Sequence, residues 1–260
     1  MSLFLTSAPV WVLFLLLLLF TALAMAGPPL IRRRVPLEKL RTNNEVAGFL
    51  FATIGVLYAV LLAFVVIIVW ERFHEAEKAL AAEAGHAATI YRLSAGQNET
   101  PAPAVRGLIA GYLKSVLQDD WKAMAAGHPS PATTRALTAL YEELVRYRPT
   151  DENDQHLRDD LLHEVEQWTQ SRRERLVMAE GTVPDMVWFA LLIGALLTIC
   201  YTFFFGTQNV IAQSVMTGVL AALIFSGIVV VAALDRPCTG AVAVSQESIR
   251  TVLEESQTAP

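Results

Sequence analysis

The stretch AGFLFATIGVLYAVLLAFVVIIVWERFHEAEKALAAEAGHAATIYRL, residues 47–93, decides the fold. Its first part, Ala47 to Trp70, holds no charged side chain. At about 1.5 Å per residue that part reaches across the roughly 30 Å hydrocarbon core of a bilayer. No breaker follows Trp70. Instead Phe73, Ala76, Leu80, Ala84, Ala87 and Tyr91 recur at the three-and-four spacing of a single helix face. A membrane-spanning helix thus runs on into an amphipathic one.

Three further uncharged apolar runs lie outside it, Val10 to Ala26, Met186 to Phe205 and Val210 to Leu234. Over 260 residues the chain is 54% hydrophobic and only 17% charged, with a mean hydropathy of +0.43. That excludes an ordinary soluble domain, in which about a quarter of residues are charged. A net charge of −5 gives no basic face for nucleic acid. No Lys or Arg precedes the first run and Arg32, Arg33 and Arg34 follow it, the reverse of a signal peptide, so it reads as a retained span. The same asymmetry, extended by Lys39 and Arg41, places the first loop in the cytoplasm and the insert and C-terminus outside. Arg72, Lys78, Arg172, Arg173 and Arg175 oppose it from the other side with an equal count. Trp11, Trp70 and Trp188 mark span ends as an interfacial belt would.

The chain therefore divides into 1–70, two spans and a basic loop; 71–185, a charged insert; 186–234, two more spans; and 235–260, a tail. The insert carries 13 Lys and Arg against 19 Asp and Glu. Its first helix ends at SAGQNETPAP (94–103), and three more are expected near 102–125, 131–147 and 151–180. Thr100, Ser130 and Thr150 stand as capping hydroxyls, the first two ahead of proline. Leu108, Tyr112, Val116 and Leu117, then Leu137, Leu140, Tyr141 and Leu144, then Leu157, Leu161, Val165 and Trp168, form matching stripes. The predicted class is an all-α integral membrane protein: four transmembrane helices, with an extramembrane antiparallel helical bundle between the second and third.

Catalytic and metal chemistry find little support. Glu71 with His74, Glu83 with His86, and Asp160 with His163 have the spacing of a carboxylate-bridged di-iron site. His86 and His163 turn away from the apolar faces of their helices, so solvated helix faces account for the pairs. His156, Asp160 and His163 share one outward face, again read as hydrated. Cys200 lies within the third span and Cys238 beyond the fourth, at depths that forbid a disulfide. Phosphate loops, zinc spacings and serine elbows are absent. We expect no enzyme, no cofactor and no metal.

The spans are more informative. Small residues line one face of each of the last three: Gly48, Ala52, Gly55, Ala59 and Ala63; Ala190, Gly194, Thr198, Thr202 and Gly206; Ser214, Gly218, Ala222 and Ser226. Such faces either pack helices tightly within a subunit or, in a homo-oligomer, line a hydrated path for small ions, joined there by Gln213 and Thr217.

Residues 43–77, NNEVAGFLFATIGVLYAVLLAFVVIIVWERFHEAE, followed by GYLKSVLQDDW (111–121), RRERL (172–176), PDMVW (184–188), FFFG (203–206) and LDRP (234–237) with Gly240, resemble the bacterial bestrophin-like membrane family. The resemblance covers the chain from about Asn43 to Gly240, and departs where Cys238 replaces the usual aromatic after LDRP. It implies four spans, a helical insert, a bacterial inner membrane and a name shared with eukaryotic anion channels, and it assigns no catalytic or binding residues. Trp70, Glu71, Asp235 and Arg236 are its matched polar residues at the membrane boundary, expected to form a Glu71–Arg236 pair or an Asp235–Arg236 cap rather than a pore mouth. Two functions follow as expectations: an oligomeric ion channel or permeation protein, or a membrane-anchored sensor or scaffold whose insert binds a ligand or partner. Gly27 to Val46 and GTQN (206–209) hold no output module, which favours the first.

Overall fold

A computed structural model describes residues 9–94, 102–238 and 242–258, and among these all regular structure is helical. In chain order the helices are α1 (Val10–Arg32), α2 (Leu37–Arg41), α3 (Asn44–Ser94), α4 (Ala102–Ser115), a π-helical turn (Val116–Asp120), α5 (Trp121–Ala125), α6 (Pro131–Arg146), α7 (Glu152–Met178), α8 (Asp185–Thr202), α9 (Val210–Leu234) and α10 (Glu247–Thr258). The chain forms two units. One holds the chain up to Glu71 and Gly181–Asp235; the other holds Arg72–Glu180, 236–238 and the chain from Ala243.

In the first unit α1, the start of α3, α8 and α9 are each long and apolar enough to cross a membrane. Phe49, Leu57, Phe64, Met186, Ile211 and Met216 are exposed, the outward apolar surface that lipid rather than water would cover. Helix α1 runs past the expected Ala26 and carries Pro28 and Pro29 inside its last turns. Their missing N–H groups free the carbonyls of Ala24 and Met25 from helix bonding. Helix α8 stops earlier than the apolar run, because Phe203, Phe204 and Phe205 donate to carbonyls three residues back and so tighten the chain. The Gln213 amide then donates to the carbonyls of Thr202 (3.0 Å) and Phe205 (2.9 Å), capping that end. Asn209 caps α9 by accepting from the Ala212 N–H at 3.0 Å.

The second unit has its own apolar core. Ala76, Leu80, Ala87 and Ile90 of α3 meet Val105, Ile109, Tyr112 and Leu113 of α4, Leu137, Leu140 and Leu144 of α6, and Leu161, Val165 and Trp168 of α7. The stripes read from spacing therefore converge. Helix α10, formed by the C-terminal tail, adds Ile249 to the same core. Its end is tied back by the Tyr91 hydroxyl, which donates to the Ser256 carbonyl at 3.1 Å. Ser94 belongs to the last turn of α3 rather than to the following loop: it is buried, and its hydroxyl donates back to the Tyr91 carbonyl. Ser130 caps α6 through the Thr133 N–H. Helix α7 is capped by Asp151, not Thr150, since the Asp151 carboxylate accepts from the Asp154 N–H at 2.8 Å. Thr100 lies outside the described residues.

Candidate functional site

The small-residue faces differ in what stands opposite them. A Cβ added to Gly194 would lie 2.6 Å from the Tyr58 ring, and one added to Gly218 would lie 2.6 Å from Met25. The Tyr58 hydroxyl also donates to the Leu191 carbonyl at 3.2 Å, fastening α3 to α8. At Gly206 the obstruction is backbone, with Arg41 N at 2.7 Å and the Leu40 carbonyl carbon at 2.8 Å. The Asn44 amide clamps the same residue, donating to its carbonyl and accepting from its N–H, each at 2.9 Å. Thr198 is buried and donates to the Gly194 carbonyl, and buried Thr202 donates to Ile199 and shares a hydrogen bond with Thr217. Ser214 is half-buried; Ser226 is exposed and donates to the Leu223 carbonyl. Gly55, by contrast, has open space where a Cβ would sit, as does Gly48, and Ala52, Ala59 and Ala63 are exposed.

Of the residues expected at a membrane boundary, Trp70 and Glu71 are exposed and Arg236 is half-buried. Asp235 is buried, and its carboxylate accepts from the N–H groups of Thr182 (2.9 Å) and Val183 (2.8 Å), just ahead of α8. It ties the end of α9 to the start of α8, a role spacing alone did not reveal.

The second unit holds a buried ionic network. Arg175 donates through Nε to Glu83 Oε2 (2.6 Å) and through Nη2 to Glu83 Oε1 (3.1 Å) and Asp120 Oδ2 (2.6 Å). The Tyr112 hydroxyl donates to Glu83 Oε1 at 2.6 Å, and the Ser130 N–H donates to Asp120 Oδ1 at 3.1 Å. Arg172 reaches Asp120 and Thr134. The Arg175 guanidinium also stands over the Trp121 ring, 5.3 Å from its centroid. Burial works against the Arg175 charge, but Glu83 above all, with Tyr112 and Asp120, outweighs it and holds the guanidinium well above its usual range. Burial, then the neighbouring Glu83 charge, raises the Tyr112 phenol. The π-helical turn carries Asp120 to this point, inserting one residue into the register of α4.

Glu83 is therefore a core group, not part of a solvated face as its pairing with His86 implied. His86 turns instead to Glu164, at 2.8 Å. His156, Asp160 and His163 are exposed. Among the described residues no group of three or more His, Cys, Asp or Glu side chains is placed to hold a metal. Cys200 and Cys238 are both free thiols; Cys238 is buried against Met124 and Ala179, so it occupies its own packing niche in place of an aromatic.

The Bestrophin-like domain model matches residues 18–249. The chain belongs to the Bestrophin-like family. The fold agrees: crystal structures of a bacterial Bestrophin homolog from Klebsiella pneumoniae, each carrying a mutation, align over nearly the whole molecule. One aligns at a TM-score of 0.72 with 14% identity, over 94% of this chain and 99% of that one. A second reaches 0.67 with 16% identity, over 95% and 99%, and a third 0.66 with 18% identity, over 95% and 97%. No curated protein matches. Among the described residues the Bestrophin-like fold is all-helical with four candidate membrane helices, as expected from the four apolar runs.

The network is what sequence reasoning missed, though a signal exists. Glu83 falls in register with Ala76, Leu80, Ala87 and Ile90, and Arg172 and Arg175 continue the Leu161, Val165, Trp168 stripe. Opposite charges on apolar stripes that face one another mark a buried pair.

Proposed function

We propose that the chain assembles as a symmetric homo-oligomer in the bacterial inner membrane and passes small ions along a path bordered by the small-residue face of α3. The observation that carries this reading is the contrast between faces: Gly194 and Gly218 are filled by Tyr58 and Met25, whereas Gly55 is open and Ala59 exposed. A face so free of bulk suits close approach by a second copy and a narrow path of backbone dipoles. Ser226 adds an exposed hydroxyl, while Gly194, Thr198, Thr202, Ser214 and Gly218 serve helix packing. The four apolar runs contain no Asp, Glu, Lys or Arg, which favours a neutral path over coupled transport. Family membership, under a name shared with anion channels, supports permeation. In this reading the second unit is an antiparallel extramembrane bundle outside the cell, and Trp70, Glu71, Asp235 and Arg236 lie at its membrane boundary.

Mass measurement in detergent, followed by ion flux in liposomes, tests the reading. Gly55→Leu should keep the subunit folded and lower assembly or flux, since among the described residues no atom beyond the helix's own backbone lies within 4 Å of a Cβ added there. A monomer, or flux equal to empty liposomes, would transfer the assignment to a sensor or scaffold. For orientation, a cysteine at exposed Thr138 reacts with an impermeant reagent in intact spheroplasts; labelling only after lysis inverts the topology.

A further inference from the structure

Helices α1, α8 and α9 enclose an open cavity of about 670 Å³, lined on α1 from Leu13 through Phe20 to Ala24, on α8 by Leu196 and Phe203, and on α9 by Phe225, among others. That volume lies in the range of small-molecule pockets, about 300–1,000 Å³. Every lining side chain is apolar, the Cys200 thiol being the most polar group. Such a space does not hold water, which needs polar partners. Its rim residues Leu23 and Leu196 are exposed, so it opens sideways from helices that are themselves long and apolar enough to span a bilayer. The apolar solute available at that place is a lipid chain.

The end of the cavity adds a second, independent observation. From Leu13 to Ala24 the lining follows α1 for about 16 Å at 1.5 Å per residue. It closes where the Phe203 ring stands against Gly27, whose added Cβ would lie 2.3 Å from the ring. Little more than one turn further on come Arg32, Arg33 and Arg34, and then Lys39 and Arg41. Residues 32–45 hold five basic side chains against Glu38 and Glu45, an excess of positive charge in a chain whose net charge is −5. Among the described residues none of these five pairs with a carboxylate, and Arg32 Nη1 is buried without a hydrogen-bond partner there. The segment is held in place: Leu40 is buried, Gly206 abuts the Leu40–Arg41 backbone, and Asn44 clamps Gly206. A collar fixed in this way presents its cations without a loop-ordering cost.

We propose that an anionic glycerophospholipid is bound here, with one acyl chain in the groove between α1, α8 and α9 and its phosphate on the guanidinium groups of Arg32 to Arg34. Guanidinium and phosphate match as charge-assisted, bidentate partners. Neither half is selective alone: the groove accepts any acyl chain, and the collar accepts any phosphate. Together they distinguish a phosphate-bearing anionic lipid from a zwitterionic one.

The test uses the purified full-length chain in detergent, with lipid retention read by native mass spectrometry. Phosphatidylglycerol, phosphatidylcholine and inorganic phosphate are offered in parallel. The wild type should retain phosphatidylglycerol about tenfold more than phosphatidylcholine. The triple variant Arg32→Gln, Arg33→Gln, Arg34→Gln should lose that preference. Leu196→Trp, on the exposed rim of the groove, should lower retention of both lipids. A triple control of equal charge change, Lys78→Gln, Arg135→Gln, Arg146→Gln at exposed positions of the other unit, should leave retention unchanged. Equal retention of the two lipids overturns the proposal, as does full phosphatidylglycerol retention by the Arg variant, which would free the collar for an acidic protein partner. Inorganic phosphate displacing phosphatidylglycerol at millimolar levels would make the collar a soluble-anion site and also overturn it. A Leu196→Trp chain that changes oligomeric mass but not lipid retention would mean a second copy covers the groove.

Discussion

Arg175→Met isolates the strongest feature of the second unit. Arg175 is fully buried and supplies the donors that bind both Glu83 and Asp120, at 2.6–3.1 Å. Methionine fills much of the same volume but, among the described residues, leaves Glu83 with the Tyr112 hydroxyl, and Asp120 with the Ser130 N–H and the more distant Arg172. Removing one partner from a buried ion pair costs about 3–5 kcal/mol, because the remaining charge stays desolvated. At roughly 2–4 °C per kcal/mol, Tm should fall by about 6–20 °C, measured by circular dichroism in detergent. Arg175→Lys should lie between, since an ammonium cannot span Glu83 with a two-pronged fork. The double variant Glu83→Gln, Arg175→Met should recover more than half of the loss, because a neutral amide can still accept from Tyr112. A single Arg175→Met variant within about 0.5 kcal/mol of wild type, the range of surface substitutions, would refute the reasoning.

Gly206→Ala should destabilise the first unit by about 1–3 kcal/mol, as its methyl would meet the Leu40–Arg41 backbone, whereas Gly55→Ala should not; equal Tm values for the two would contradict this. Burial pushes the Cys238 thiol up to about 11, so a maleimide at pH 8 should label it only after unfolding, and prompt labelling of the native chain would count against its burial. The Asp154 carboxyl is held below its ordinary value first by the Tyr147 hydroxyl and then by the Thr150 N–H. The unfolded chain therefore takes up this proton at higher pH than the folded one. The stability it contributes is present above the ordinary carboxylate value and lost as pH falls through the folded value. Asp154→Asn should flatten the acid limb of stability below about pH 5, and an unchanged limb would refute the linkage.

The four candidate membrane helices were legible because a long uncharged run has few other uses, and the amphipathic stripes because their spacing leaves one apolar face to bury. What escaped has physical causes. Phe203 to Phe205 extend the apolar run without extending α8, since hydropathy does not register a tightened turn. A π-helical turn at Val116–Asp120 leaves no periodic mark in so short a segment. Glu83 and Arg175 were hidden by residue type, each reading as solvated until its partner on another helix is in view. In α10, Ile249, Val252 and Leu253 spell a short apolar face amid polar residues, too brief to stand out. The small-residue faces were visible as faces. Which of them the chain itself fills depended on Tyr58 and Met25, neighbours remote in sequence.

The most direct test of permeation is a stopped-flow flux assay on purified wild-type and Gly55→Leu protein reconstituted at equal density into liposomes loaded with an anion- or cation-sensitive dye. The wild type should give flux above empty liposomes, carried by a species whose detergent-corrected mass is a multiple of the chain, and Gly55→Leu should show a clear loss. Wild-type flux indistinguishable from empty liposomes for every anion and cation tried would contradict it.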